Sequence, residues 1–254
     1  MRVLWTLIKR EFLANFLSVV AYAAIVAFLF GTGLLFWVTV GSLTDTGPRG
    51  VEYPMRMLFG DERFWLVFAL LPPLLTMRLL AEERGTGTLE ALLTAPVRDW
   101  QVVAGKYLGA LLFYATLWLP TLVYVPVLVD LDWATFRPRL DPWPVVTTYV
   151  GVLAAGAMFL AIGLFVSSLV KSQLVAALVA MVVGLAFAAV GLLPGLDPNG
   201  TAARLVDFVS VPRHFGRDFT RGLLDTRHLV LYGSVTLFCL FLTVVSLDQR
   251  RLRA

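Results

Sequence analysis

The sequence holds 254 residues, of which 59% are hydrophobic and only 15% charged, with a mean hydropathy of +0.81. A soluble domain of this size carries far more charge, so composition places the chain among polytopic membrane proteins. A single cysteine, Cys239, excludes a disulfide framework within the chain and a Cys/His metal cluster. The net charge of +4 is dispersed around apolar runs instead of forming a nucleic-acid footprint.

Residues 1–15 interleave Arg2, Lys9, Arg10 and Glu11 with Leu4, Leu7, Ile8 and Phe12 at helical spacing. This predicts an amphipathic helix on the cytoplasmic membrane surface. The uncharged run from Phe12 to Thr44 is too long for a signal-peptide core. Span one is expected at about 16–40, followed by an outer loop with turn residues Asp45, Gly47, Pro48 and Gly50. Span two is expected at about 64–81. Its uncharged core is short and carries Pro72-Pro73, so reaching Ala81 requires Arg78 to extend to the inner interface.

The polar island from Arg78 to Pro96 comes next. Glu82, Glu83 and Arg84 precede Gly85 and Gly87, and Thr86, Gly87 or Thr88 can cap a short helix with Glu90 in its first turn. Leu89, Leu92 and Leu93 share one face, and Pro96 stops the helix after about two turns, before Arg98. Asp99 can cap span three, expected at about 102–129, whose Gly105-x-x-x-Gly109 is compatible with close helix packing.

A second outer loop, 130–144, carries Trp133 and Trp143 as interface anchors. Spans four (about 145–170) and five (about 172–194) meet in a tight inner turn at Lys171. The outer segment 195–227 contains a stripe of Arg213, Arg217 and Arg221 opposite one of Phe215, Phe219 and Leu223. With Pro212 at the first position, the pattern predicts an interfacial helix from about Pro212 to Leu224, its phenylalanines toward the bilayer or the subunit core. Span six is expected at about 229–247, capped by Asp225, before a basic tail. Six spans leave both termini on one side. The lysines Lys9, Lys106 and Lys171 all fall on the side of the termini, which points to a cytoplasmic location for them.

Chemical motifs are sparse. No Gly-x-x-x-x-Gly-Lys-[Ser/Thr] loop occurs, so an ATP-driven function needs ATP and Mg on another chain. No acidic pair lies at mid-membrane depth, which argues against a proton relay or an intramembrane protease. His214 and His228 share the last outer segment with weak metal-ligand spacing and read as ordinary interface histidines.

Glu-Glu-Arg-x-x-Gly-Thr-Leu-Glu from Glu82, then Pro96, then Gly105-Lys-Tyr-Leu-Gly109, resembles the coupling region of ABC-2 type transporter permeases. Thr76-Met77-Arg78, the stretch Arg221–Arg227 and Tyr232 are similar to the gliding-motility subfamily. The resemblance implies one permease domain over 1–254 in a prokaryotic inner membrane. It further implies an ABC ATPase docking at Glu82, Glu83, Arg84, Thr88, Leu89, Glu90, Leu92, Leu93, Pro96 and Arg98, with a smaller contact at Lys171. A second permease subunit completes a homodimer or heterodimer, one member of which can bear a large outer domain. A membrane scaffold or assembly factor without transport is the alternative. A membrane-embedded lipid enzyme fits poorly, since no nucleophile and base converge.

Overall fold

The computed structural model describes residues 2–46, 54–88, 97–130, 142–190 and 200–251, and among these all regular structure is helical. The helices are α1 (Arg2–Phe16), α2 (Val19–Thr46), α3 (Pro54–Phe59), α4 (Glu62–Thr76), α5 (Ala81–Gly85), α6 (Asp99–Trp118), α7 (Tyr124–Asp130), α8 (Pro142–Leu169), α9 (Gln173–Ala189), α10 (Thr201–Val209), α11 (Val211–Arg217) and α12 (Thr226–Arg251). Short 3-10 turns lie at Pro120–Val123 and Phe219–Arg221.

The bundle is built around α8, which packs against α12, α4, α9 and α6. In its most apolar stretch 67% of the residues are buried within the protein, against 22% in α2 and 17% in α12. Small residues let α8 take this place. A Cβ on Gly156 would lie 2.2 Å from the Tyr114 ring of α6, and one on Gly163 would lie 2.1 Å from Thr76 Oγ1 at the end of α4. Phe59, Phe64, Trp65, Phe68 and Trp118 fill the space beside α8 with edge-on and tilted ring contacts, and Trp65 donates its indole N–H to the Phe59 carbonyl (3.0 Å). The outward sides of α2 (Val26, Phe30, Trp37) and α12 (Val230, Leu237, Phe241) are exposed and apolar, as surfaces facing lipid are.

Among the described residues, four helical stretches have the length and composition to cross a membrane: Val19–Ser42, Asp99–Val127, Pro142–Leu169 and Thr226–Gln249. The segments expected as spans two and five are shorter apolar helices, Arg63–Thr76 and Gln173–Ala189. Span two does not reach Ala81 as one helix. It passes through Pro72 and Pro73 and ends at Thr76, where the chain turns before α5. Ser167 of α8 holds that turn: its hydroxyl accepts from the Leu80 and Ala81 N–H groups (3.2 and 2.9 Å) and lies 3.2 Å from the Met77 carbonyl, toward which it donates. Helix α9 ends at Ala189, and residues 191–199 lie outside the described residues. Arg98, rather than Asp99, is the N-cap of α6, its N–H donating to Gln101 Oε1 (3.2 Å). Asp225 accepts the Arg227 N–H (2.8 Å) at the start of α12.

The segment before α12 departs from the expected helix over Pro212–Leu224. Helix α11 covers only Val211–Arg217, with Pro212 in its first turn. The backbone then breaks at Asp218 (φ −118°, ψ −69°), continues as the 3-10 turn, and stops at Gly222, whose φ of 85° suits glycine. Phe215 and Phe219 are fully buried. Of the two destinations considered for these rings, the structure places them in the core: Phe215 meets Trp65 (4.7 Å between centroids) and Phe219 lies over Gly151 of α8. The exposed amphipathic helix on this side is α10, where Leu205 and Phe208 face outward, and its sequence pattern was not anticipated.

Candidate functional site

The described polar residues of the Arg78–Arg98 island gather at one end of the bundle. Helix α1 lies along the first half of α6, where Gly105 and Gly109 leave room for it. A Cβ on Gly105 would lie 2.8 Å from Leu7 Cβ, and one on Gly109 2.7 Å from Glu11 Cβ. The apolar stripe of α1 is therefore spent partly on its own protein, since Ile8 is buried, while Val3, Trp5 and Leu13 remain exposed. The amphipathic helix expected from the spacing is thus present and is docked on α6.

This docking encloses Lys106, whose side chain is 4% exposed. Its ammonium bonds Glu83 Oε1 (2.7 Å) and Glu11 Oε1 (3.3 Å). Arg10 adds a bond to Glu11 (2.8 Å) and stands 3.9 Å from Glu83. A buried ammonium needs paired carboxylates because desolvation otherwise drives it to lose its charge. The network therefore fastens three chain segments to each other: α1 through Arg10 and Glu11, α5 through Glu83, and α6 through Lys106. Glu83 Oε2 is buried and has no partner among the described residues.

Beside it, Arg78 bonds both carboxylate oxygens of Glu82 (2.8 and 3.2 Å) and the Ser18 hydroxyl at the start of α2. Arg84 donates to the Ser168 and Val170 carbonyls (2.6 and 3.0 Å), where α8 ends without further helical partners for those oxygens. The Lys171 carbonyl lies 3.1 Å from the position a Cβ would take on Gly85, so the α8–α9 turn and the polar island are adjacent. Thr86 and Thr88 share a hydrogen bond (2.9 Å) on the exposed rim. Among the named coupling residues, Glu82, Glu83, Arg84, Thr88 and Lys171 thus come together. Leu89, Glu90, Leu92, Leu93 and Pro96 lie outside the described residues. The ion pair of Glu83 with Lys106 could not be read from local spacing, because Lys106 lies on another helix, whereas Glu82 pairs with Arg78 at i,i+4 spacing.

The other end of the bundle holds a second polar cluster. Arg213 and Arg217 both reach Asp207 of α10 (2.5 and 2.6 Å); against the upward push of burial, these bonds hold its carboxyl below the usual range. Arg221 is exposed on the 3-10 turn. The His214 ring stacks on His228 at 3.8 Å. His214 Nε2 faces the Asp207 carbonyl (3.0 Å), which only accepts, so that nitrogen carries the proton and Nδ1 accepts from the Tyr232 hydroxyl (2.8 Å). Burial, then the neighbouring His228, lowers the pKa of His214 to about 4. His228 Nε2 meets Asp218 (2.8 Å). No group of three or more metal-type ligands is found among the described residues. Thr147 and Thr148 of α8 donate to the Phe219 carbonyl (2.6 and 3.3 Å), closing this end over the bundle.

No curated protein matches the chain. The family model described as "ABC-2 family transporter protein" matches residues 56–210, which run from α3 through the polar junction and α8 to the end of α10. With well over half of its length matched, the chain belongs to the ABC-2 transporter family.

Proposed function

We propose that the chain is the permease subunit of an ABC transporter whose ATP hydrolysis takes place on a separate subunit, and that it couples that hydrolysis to export or force transmission across the membrane. The observation that carries this reading is the polar junction: Lys106, Glu83, Glu11 and Arg84 tie α1, α5, α6 and the α8–α9 turn into one unit directly next to the segment 89–96. An ATPase docking on that segment, with Leu89, Glu90, Leu92, Leu93, Pro96 and Arg98 as contacts, would push on a rigid junction and so tilt several helices together. A flexible tether could not transmit such a displacement. Mg and ATP belong to that partner.

In this reading α4 and α9 are short spans completing a set of six, both termini are cytoplasmic, and the protein resides in a prokaryotic inner membrane. It works with a second permease subunit, as a homodimer or as a heterodimer one member of which can bear a large outer domain. The scaffold alternative is not favoured, because a static scaffold has no need of a junction that locks several helices together at one end of the bundle.

Thr88 is exposed on the rim of the junction, and the sole cysteine, Cys239, is buried. A Thr88→Cys, Cys239→Ser variant is expected to react with a membrane-impermeant thiol reagent only in opened cells, and to cross-link to the co-expressed ATPase. Labelling from outside in intact cells overturns the orientation. Full inside labelling without a cross-link, together with hydrolysis indifferent to the permease, overturns the coupling.

A further inference from the structure

Between α1 and the residues from Arg78 to Thr88 lies a partly open cavity of about 410 Å³. That is within the roughly 300–1,000 Å³ range of small-molecule sites. Its described wall carries three cations, Arg10, Arg78 and Lys106, and three carboxylates, Glu11, Glu82 and Glu83. The formal charges cancel, so an ion of one sign gains little over water. The charges are not equally covered, however. Lys106 bonds one oxygen each of Glu11 and Glu83, and the three side chains are 4%, 11% and 21% exposed. The most open cation is Arg10, at 55%, and the most open carboxylate is Glu82, at 37%. Arg10 makes one short ion pair, to Glu11, and its guanidinium has N–H groups to spare. The lining therefore includes an accessible cation, Arg10 on α1, and an accessible carboxylate, Glu82 on α5, whose oxygens each accept from Arg78 and keep a further lone pair.

Its position in the protein says what would approach. Arg10 and Ala14 of α1 line the wall, as do Asn15 and Ser18, and Leu17 lies in the turn between the last two. Leu13 and Leu17 are exposed, and so are Val19, Tyr22 and Val26 where α2 continues from the wall residue Ser18. The rim is thus polar within and apolar along one side, the arrangement met at the boundary between headgroups and acyl chains.

We propose that this cavity binds the phosphoethanolamine head of a membrane phospholipid: the phosphate on the free N–H groups of Arg10, the ammonium on Glu82, and the acyl chains along Leu17 and Val19. An ethanolamine head brings three N–H donors to a carboxylate, whereas a choline head brings none and a glycerol head brings no positive charge. Placing the lipid in the inner leaflet rests on the orientation given under Proposed function; the binding itself does not.

The test uses the full-length chain purified without any ATPase, so that failure of coupling cannot affect it. Mixed micelles containing dioleoyl phosphatidylethanolamine, phosphatidylcholine or phosphatidylglycerol are titrated, and retained lipid is counted by native mass spectrometry. The ethanolamine lipid is expected to bind about tenfold tighter than either other lipid, the size of one charge-assisted hydrogen bond. Arg10→Gln and Glu82→Gln should each abolish the preference, and Ala14→Phe should block the mouth. Should a variant not fold, competition by soluble glycerophosphoethanolamine on the parent protein supplies the same readout. Equal binding of the three lipids, a preference for phosphatidylglycerol, or an ethanolamine preference intact in Arg10→Gln overturns the proposal. So does the absence of any lipid preference while an Ala14→Cys variant cross-links to the ATPase, which would make the cavity part of the protein interface.

Discussion

Replacing Lys106 with methionine keeps the length and apolar stem of the side chain and removes only the charge. Two carboxylates then face the same emptied point, from which Glu83 Oε1 lay 2.7 Å and Glu11 Oε1 3.3 Å. At an effective dielectric constant of about 20 each contact carries an attraction of roughly 5–6 kcal/mol, most of which is offset in the parent by the desolvation of the three groups. What the substitution costs is the uncompensated burial of the carboxylates, about 3–5 kcal/mol where a buried pair loses one partner. Since Glu83 retains 21% exposure and Arg10 still pairs with Glu11, the lower end, about 3 kcal/mol, is expected. For a chain of this length that corresponds to a fall in apparent melting temperature of roughly 6–12 °C, measurable by fluorescence-detected unfolding in detergent. The triple variant Lys106→Met, Glu11→Gln, Glu83→Gln removes the stranded charges and should recover more than half of the loss. A Lys106→Met protein that melts with the parent, or a triple variant less stable than the single one, would refute the claim that Lys106 locks α1 to α5.

Gly156→Ala places a methyl 2.2 Å from the Tyr114 ring, which is itself fixed by its bond to the Val152 carbonyl (2.9 Å). The overlap should cost about 1–3 kcal/mol and reduce the yield of monodisperse protein, while Gly216→Ala, with open space around it, should leave both unchanged. Acid should loosen the other end of the bundle. With the folded pKa of His214 near 4 and the unfolded one near 6.5, the unfolded chain takes up the proton first. The stability owed to neutral His214 is therefore complete above pH 6.5 and is lost as the pH falls toward 4. His214→Gln should flatten the dependence of melting temperature on pH in that window; an unchanged slope would show that His214 does not set it.

Composition alone was enough for a polytopic helical membrane protein, and apolar runs located the stretches Val19–Ser42, Asp99–Val127, Pro142–Leu169 and Thr226–Gln249 within a few residues. The harder cases are those where tertiary contacts decide the local structure. The end of α4 could not be read from residues 64–81, because Ser167, distant in sequence, supplies the partners for the turn that follows. Likewise, the Arg213/Phe215 periodicity suggested a helix continuing to Leu224. The Phe219 carbonyl accepts instead from the Gly222 N–H of a tighter 3-10 turn and from Thr147 and Thr148 of α8, and a carbonyl so satisfied no longer requires the helix to continue.

The same distinction governs the candidate site. Glu82, Glu83 and Arg84 read locally as the polar face of a loop, free to meet a partner and tolerant of charge reversal. The structure turns them inward: Glu83 onto Lys106, Glu82 onto Arg78, Arg84 onto the last carbonyls of α8. Reversing Glu83 to lysine would set two ammonium groups against each other in a nearly dry site, so it would damage the fold before it could report on docking. Among the described residues of the junction, Thr86 and Thr88 form the exposed rim open to the partner proposed above. Residues that hold the junction and residues proposed to touch the partner are therefore neighbours in sequence with opposite tolerances. A charge placed at Thr88 should weaken association and spare the melting temperature, whereas a charge removed at Lys106 should lower the melting temperature whether or not an ATPase is present.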